Sequence, residues 1–398
     1  MHMVDQLLTT DQVAERLGVK PATVYAYVSR GLLPSRRNAA GKGSLFDKAD
    51  VDAMIAGRKR VTPSIQTGIT LIRDGGLFYR GRDATELART STFEAVAGLL
   101  WTGEPGAGPF PRNPAQVALA RRIGAELPPA ARLVDRLRVT VAAIAAADPL
   151  RFDTTPAAVL TTGRTLIATM VDALPRRSPE PDPGPGDGGP AAIVELLWPR
   201  LTAQPIDEAG RRILEAALIL LADHDIAAST LAARVAASTR AHPYAVVSAG
   251  LAALDGPLHG AASEQVHPLL ADALTGADPI GIISERLRTS GGLPGFGHPL
   301  YPSGDPRAAT LFDLLGDHPV RDAAARLAAA VRTRSGILPN IDLALAALTL
   351  RHRMPADAGE AIFAVARTAG WLAHALEEYA NRPARFRPTG QYSGRPPA

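Results

Sequence analysis

The sequence predicts a mainly α-helical protein, in which a large helical body follows a small basic module. From Val61 onward, apolar residues recur at helical spacing almost throughout, as in EAALILLADH and LALAALTL, and alternating strand patterns are nearly absent. Residues 1–60 hold ten Lys and Arg against six Asp and Glu, which matches the formal net charge of +4 of the whole 398-residue chain. A basic segment before a neutral body predicts two functions, with the basic segment facing an anion.

The stretch LLTTDQVAERLGVKPATVYAYVSRGLL predicts two short helices within residues 1–60. Thr10 or Asp11 can cap the first helix, and Pro21 suits the start of the second because its missing N–H costs nothing there. The next stretch, SRRNAAGKGSLF, predicts a basic hairpin, or wing, before a helix from about Lys48 to Arg58. These elements predict a winged helix–turn–helix domain, which resembles those of the MerR and excisionase families.

A helix–turn–helix with a basic wing suits DNA, because one helix enters the major groove while the wing contacts phosphates. Tyr27 falls near the same outer face as the candidate contacts. The candidate DNA-binding residues are Thr23, Tyr25, Arg30, Arg36, Arg37 and Lys42. The alternative is a small helical appendage that binds nothing, since the pattern is more specific for the fold than for operator binding.

Composition excludes several classes of function. The chain has no cysteine, which excludes disulfides, thiolate nucleophiles, thiolate-bound zinc and iron–sulfur clusters. No apolar run reaches membrane-spanning length, and the first residues lack the pattern of a signal peptide, so a cytoplasmic protein is expected. Asp74, Gly75 and Gly76 predict a hairpin turn, and the Pro-, Gly- and Asp-rich residues 178–190 predict a surface loop.

A set of polar residues interrupts the apolar helices or the glycine-rich turns of the body. Each has a structural alternative: a lone histidine is commonly a satisfied core residue, and Asp342 in LPNIDLALAAL would be able to cap a helix. Together they predict a site for a multiply charged carboxylate, because Arg binds carboxylates and His and Asp transfer protons near neutral pH. The set comprises His224, His259, His298, Arg307, Asp342, Arg367 and Arg387.

Six ordered blocks of the body resemble the citrate synthase family, over about residues 64 to 394. In chain order they are GGLFYRGRDATELA, GPLHGAASE, GFGHPLYPSGDPRA, PNIDLALAAL, FAVARTAGWLAHALE and RPTGQYSG. The resemblance implies a two-domain helical fold that follows the helix–turn–helix domain of residues 1–60. Its large domain would span residues 61–263, its small domain residues 264–364, and residues 365–398 would return to the large domain.

The resemblance also implies a reaction: acetyl-CoA, oxaloacetate and water give citrate and CoA, without a metal or a permanently bound cofactor. Asp342 is the implied base that removes a proton from the acetyl methyl group. His259 is implied to stabilise the enol at the thioester oxygen, and His298 to polarise the ketone of oxaloacetate.

The same resemblance implies how the substrates are held. His224, Arg307 and Arg367 would bind oxaloacetate, and Arg387 would reach it from the partner subunit of a homodimer. The backbone of one glycine-rich loop would lie against coenzyme A, because glycine permits close approach. That loop consists of Leu293, Pro294, Gly295, Phe296 and Gly297.

Departures from the family pattern leave the acyl-CoA open. The usual Asn three positions after the first histidine is Ala227, and the usual Arg after the loop histidine is Pro299. One alternative is therefore a 2-methylcitrate synthase that uses propionyl-CoA. The other is a DNA-binding regulator that uses the same fold as a metabolite sensor, although a sensor has no need for the base Asp342.

Overall fold

The computed structural model divides the chain into two compact units, Met1–Gln66 and Thr67–Ala398. The described residues are 7–29, 33–37, 43–58, 65–106, 108–177, 192–257, 259–260, 262–290 and 292–386. Each unit has its own hydrophobic core. The segment at residues 178–190, for which the sequence predicts a surface loop, lies outside the described residues.

The N-terminal unit combines short helices with a small antiparallel sheet, as the sequence predicts for a winged helix–turn–helix. The sheet has the strand order β1-β3-β2, in which β2 and β3 form the wing. The elements are β1 (Leu7–Thr9), α1 (Thr10–Leu17), α2 (Pro21–Ser29), β2 (Arg36–Arg37), β3 (Ser44–Asp47) and α3 (Lys48–Arg58). The strand β1, which pairs with β3, has no counterpart in the sequence prediction.

The cap of α1 differs from the predicted one by a single position. Thr9, rather than Thr10 or Asp11, accepts a hydrogen bond from the backbone N–H of Gln12 at 3.4 Å. The Gln12 side chain in turn accepts from the Thr9 N–H at 2.9 Å, which completes a capping box. The capping box therefore fixes the start of α1 at Thr10.

A compact core holds the N-terminal unit together and sorts the candidate DNA contacts. The fully buried side chains include Val24 on α2, while Tyr25 beside it is 53% exposed. Tyr27, which the pattern places near the outer face, packs against this core instead. Arg30 and Lys42 lie outside the described residues.

The C-terminal unit begins with the predicted hairpin. Strands β4 (Thr70–Arg73) and β5 (Gly76–Tyr79) pair antiparallel, and β6 (Arg82–Asp83) adds a third strand. Asp74 and Gly75 both have positive φ, at 52° and 77°, which suits the tight turn between twisted strands. The prediction of a hairpin here is confirmed.

Helices form almost all the remaining regular structure of the described residues, which confirms the mainly α fold. In chain order they are α4 (Ala84–Thr90), α5 (Phe93–Thr102), α6 (Pro114–Ala125), α7 (Leu133–Ala147), α8 (Pro156–Asp172), α9 (Ile193–Leu201), α10 (Glu208–Leu221), α11 (Ala228–Ser238), α12 (Pro243–Leu254), α13 (Ala262–Leu274), α14 (Pro279–Ser290), α15 (Pro306–Leu315), α16 (Pro319–Ser335), α17 (Ile341–Arg351) and α18 (Ala358–Ala380).

The long helix α18 is the central element of this unit, because it packs against α5, α8, α10, α11 and α12. Trp371 near its middle is fully buried, as expected for a core residue. Gly250 on α12 lets the helices approach, since a Cβ there would lie only 2.5 Å from the Trp371 ring. Among the described helices, none combines the length and the apolar character needed to cross a membrane.

Candidate active site

A cavity of about 560 Å³ collects the candidate residues of the C-terminal unit. The loop residues Leu293, Pro294, Gly295, Phe296 and Gly297 line it as well. The polar candidates that line it are His224, His259, His298, Arg307, Asp342 and Arg367. Arg387 lies outside the described residues. The described part of the chain holds no group of three or more His, Asp or Glu side chains arranged to bind a metal.

The glycine-rich loop is held against the segment that precedes α17. Gly297 N–H donates to the Leu338 carbonyl at 2.8 Å, and Asn340 N–H donates to the Gly295 carbonyl at 2.9 Å. The Asn340 side chain also donates to the Gly297 carbonyl at 3.0 Å. Both glycines have positive φ, at 87° and 78°, which other residues rarely adopt. This pairing brings the loop histidine and the start of α17 to one wall of the cavity.

His259 is held as a neutral imidazole with a defined tautomer. Its Nε2 lies 3.3 Å from the Ser229 backbone N–H, which donates to it, and 2.8 Å from the Ser229 hydroxyl. Trp371 Nε1–H donates to the same hydroxyl at 3.3 Å, so the hydroxyl proton is free to point to His259. Burial, with Arg367 nearby, lowers the pKa of His259 to about 4. His259 therefore carries its proton on Nδ1.

His298 is the second neutral imidazole of the site. The backbone N–H of Leu300 donates to its Nδ1 at 3.2 Å, which leaves the proton on Nε2. Burial and the neighbouring Arg307 both lower the pKa of His298. His298 is therefore a hydrogen-bond donor through Nε2 at neutral pH.

Tyr301 supports the third histidine, and the sequence reading did not identify it. Its hydroxyl lies 3.0 Å from His224 Nε2, and its ring centroid lies 4.9 Å from that of His298. The Arg307 guanidinium lies 5.3 Å from the same ring. Burial, followed by Arg307, holds the pKa of His224 well below its usual value. Tyr301 thus packs behind all three groups at one end of the cavity.

Arg367 is a buried cation whose terminal nitrogens have no protein partner. The residue is 1% exposed, and its Nε–H donates to the Leu221 carbonyl at 2.8 Å. Neither Nη1 nor Nη2 makes a hydrogen bond, although both are buried. Burial lowers the pKa of Arg367 to about 10, so it stays charged at neutral pH. An unpaired buried charge is costly, and an anionic ligand in the cavity would compensate it.

Arg307 is held in place by a carboxylate, and here too the sequence reading missed the partner. Asp305 accepts from Arg307 Nε at 2.9 Å and from Nη2 at 2.8 Å. The same Asp305 accepts from the Ile341 backbone N–H at 3.1 Å. Asp305 therefore ties the cation to the residue directly before Asp342, and it fixes the spacing between the two.

Asp342 lies in the first turn of α17 as a partly buried carboxyl group. The N-cap is Asn340, whose side chain accepts from the Asp342 N–H at 3.0 Å, so the alternative that Asp342 caps the helix is wrong. Burial raises the pKa of Asp342 to about 7, although Arg307 opposes the shift. A carboxyl with such a pKa is suited to accept a proton near neutral pH.

Family models match both parts of the chain. The model described as "Citrate synthase, C-terminal domain" matches residues 59–389. The model described as "Helix-turn-helix domain" matches residues 7–59. Together the two matches cover the N-terminal module and the helical body that the sequence predicts.

Individual relatives extend these matches. The citrate synthase of Synechocystis sp. is 32% identical over 81% of this chain and 86% of its own length. The 2-methylcitrate synthase 2 of Corynebacterium glutamicum is 31% identical over 80% and 88%. The crystal structure of citrate synthase from Thermotoga maritima has a TM-score of 0.66 at 27% identity, over 85% of this chain and 95% of that one.

Proposed function

The chain belongs to the citrate synthase family, and from this premise we propose that it condenses acetyl-CoA with oxaloacetate and water to give citrate and CoA. One observation carries the proposal. A single cavity holds a carboxyl with a pKa of about 7, two neutral imidazole donors and a buried cation without a partner. These are the groups that proton abstraction beside a thioester and binding of a dicarboxylate require.

The proposed reaction uses Asp342 as the base. Its carboxylate takes a proton from the methyl carbon of acetyl-CoA, while Nδ1–H of His259 donates to the thioester oxygen where charge develops. The methyl carbon then bonds to the ketone carbon of oxaloacetate, and Nε2–H of His298 supplies the proton that the ketone oxygen takes up. Water finally hydrolyses the thioester of the condensed product, and CoA leaves.

The proposed oxaloacetate site is the end of the cavity that holds Arg307, Arg367 and His224. Two guanidinium groups match two carboxylates, because each fork accepts a carboxylate in bidentate fashion. Arg387 would complete the site from the partner subunit of a homodimer. Leu231 and Val235 support a homodimer: they lie one turn apart on α11 and remain 41% and 40% exposed.

We also propose that the body closes over its substrates as two domains, with residues 264–364 as the small domain and residues 61–263 and 365–398 as the large domain. The cavity is lined from both segments, by His224, His259 and Arg367 of the first and by His298 and Asp342 of the second. Closure would exclude water before the enol forms.

The identity of the product tests the proposed function. We expect mass spectrometry to find citrate when purified protein is incubated with acetyl-CoA and oxaloacetate. Propionyl-CoA, supplied in parallel, would give 2-methylcitrate. This second function is favoured by the relative from Corynebacterium glutamicum and by the small Ala227 in the cavity wall. One methylene changes binding by only about 1–3 kcal/mol, so the ratio of the two rates decides. Absence of both products would contradict the proposal.

The hydroxyl of Tyr301 is expected to support oxaloacetate binding through His224. Tyr301→Phe removes only the hydrogen bond to His224 Nε2, and we expect the KM for oxaloacetate to rise about 3- to 10-fold. The matched control is Tyr379→Phe, which removes a hydrogen bond to the Ala241 carbonyl outside the cavity. Steady-state kinetics of both variants decide: equal KM values for the two would contradict a role of Tyr301 in the site.

Residues 1–60 are proposed to bind DNA, with Thr23, Tyr25, Arg30, Arg36, Arg37 and Lys42 as the contacts. The support is the helix–turn–helix match, the exposed Tyr25 and the wing strand that carries two arginines. A regulator that senses metabolites would combine this module with the body. DNA binding leaves the enzymatic proposal unchanged, since the two lie in separate units.

Replacement of both Arg36 and Arg37 by Ala is expected to weaken DNA binding and to reduce its salt dependence. Loss of two phosphate contacts lowers the slope of log K against log salt by about 2. Gel-shift titrations at several salt concentrations measure this slope, with Arg73→Ala, an exposed site in the other unit, as the control. Weak binding without sequence preference in the wild type would count against an operator-reading role.

A further inference from the structure

Arg286 is the charged residue of the cavity wall that the proposed reaction does not use. It lies on α14, is partly buried, and lines the cavity beside Gln265, Gly292 and Leu293. Among the described residues, the other Lys, Arg, Asp and Glu side chains in this wall are Arg307, Asp342 and Arg367, which serve the reacting end.

The guanidinium of Arg286 is oriented by a neutral partner. Its Nη2 donates to Gln265 Oε1 at 2.8 Å, and Gln265 Nε2 donates to the Pro257 carbonyl at 3.5 Å. Gln265 therefore links Arg286 to the turn that precedes His259. An amide does not neutralise a guanidinium, so this bond fixes the orientation of the group without cancelling its charge.

The position of Arg286 matches the phosphate-bearing part of coenzyme A. Leu293 and Gly292, which lie beside Arg286, begin the glycine-rich loop that runs to His298 at the reacting end. A CoA thioester that lies along this loop with its acyl group at Asp342 directs its nucleotide away from the reacting end. The nucleotide carries phosphate groups, and Arg is the side chain best suited to bind them. Pro299, which also lines the cavity, supplies no charge.

We propose that Arg286 binds a phosphate group of coenzyme A, and that Gln265 positions its guanidinium for that contact. The proposal rests on the proposed function, because it takes an acyl-CoA as the substrate. It adds a recognition site at the nucleotide end to the acid–base groups at the thioester end.

Kinetics of Arg286→Gln test the proposal. We expect the KM for acetyl-CoA to rise about 10- to 100-fold, because a charge-assisted hydrogen bond is lost, while kcat and the KM for oxaloacetate change little. Arg286→Lys, which keeps the charge, is expected to recover part of the loss. The matched control is Arg288→Gln, two residues along the same helix, where the side chain is 72% exposed and pairs with Glu285 at 2.7 Å.

Acetyl-dephospho-CoA, which lacks the 3′-phosphate, distinguishes the phosphates. If Arg286 binds the 3′-phosphate, this substrate has a raised KM in the wild type, and Arg286→Gln adds no further rise. If it binds the diphosphate, the variant raises the KM for both substrates by the same factor. An unchanged KM for acetyl-CoA in Arg286→Gln, or an equal rise in Arg288→Gln, would overturn the proposal.

Binding of CoA itself separates this proposal from the enzymatic one. Isothermal titration calorimetry of the full chain with CoA needs no turnover. We expect Arg286→Gln to bind CoA about 10- to 100-fold more weakly than the wild type does, whatever the rate of condensation. Equal affinities of the two proteins would contradict the role of Arg286, and a catalytically silent wild type that still binds CoA would contradict only the proposed reaction.

Discussion

Replacement of Asp342 by Asn is expected to lower kcat by about 10²- to 10⁴-fold, the range that general acid–base catalysis supplies. The amide keeps the size of the side chain but does not accept the proton from the acyl-CoA. The matched control is Asp317→Asn, an exposed carboxylate at the surface, which should leave kcat unchanged. Steady-state assays at saturating substrates measure both, and kcat within threefold of the wild type in Asp342→Asn would exclude this residue as the base.

The pKa of Asp342 also predicts how activity and stability depend on pH. Because burial raises the pKa to about 7, the base becomes protonated as pH falls, and kcat/KM should decline below about pH 7. The folded state binds this proton more tightly than the unfolded chain does, so an ionised Asp342 destabilises the fold as pH rises from about 4 to 7. Asp342→Asn should therefore gain stability over the wild type at pH 8 and lose that gain toward pH 4. Thermal unfolding at the two pH values measures the difference.

Replacement of Arg367 by Met is expected to raise the KM for oxaloacetate about 100-fold or more. Breaking a buried charge pair typically costs about 2–5 kcal/mol, and a carboxylate left without its guanidinium loses that much. The fold should tolerate the change, because the terminal nitrogens of Arg367 have no protein partners and only the bond from Nε to the Leu221 carbonyl is lost. We therefore expect a large kinetic effect with little loss of thermal stability.

Arg240 offers the matched control for Arg367. It also donates to backbone carbonyls, those of Glu378 at 2.8 Å and Asn381 at 2.7 Å, but it does not line the cavity. Arg240→Met should lower thermal stability and leave the KM for oxaloacetate unchanged, the reverse of Arg367→Met. Oxaloacetate should also stabilise the wild type and Arg240→Met against heat, but not Arg367→Met. An unchanged KM in Arg367→Met would remove this residue from the substrate site.

The residues that the sequence predicted share a recognisable local context. His298 stands in a loop rich in Gly and Pro, Asp342 at the start of an apolar helix, and Arg367 within one. Charge and imidazole at such positions are unusual enough to be noticed without a structure. The structure brings these three residues, with His224, His259 and Arg307, to one cavity.

The supporting partners could not be predicted, because their contacts depend on how distant segments pack. His259 owes its tautomer to Ser229, thirty positions earlier, and Ser229 is bonded by Trp371, 142 positions later. Neither Ser229 nor Trp371 has a sequence signature that distinguishes it from ordinary helix residues. Asp305 lies close to Arg307 in the chain, yet its bond to the Ile341 N–H becomes visible only once α15 and α17 are packed.

The capping error had a different origin. Thr9 and Thr10 are adjacent and identical in type, so composition does not distinguish them as caps. The pairing of β1 with β3 decides, because the strand ends at Thr9 and leaves its side chain free to cap α1.

Release of free CoA from acetyl-CoA, followed with a thiol reagent, tests the central claim most directly. The chain has no cysteine, so the protein contributes no background to the signal. The account predicts sustained release that requires oxaloacetate and disappears in Asp342→Asn. Well-folded wild-type protein that releases no CoA from acetyl-CoA or propionyl-CoA with oxaloacetate present, or that releases it equally without oxaloacetate, would contradict the account.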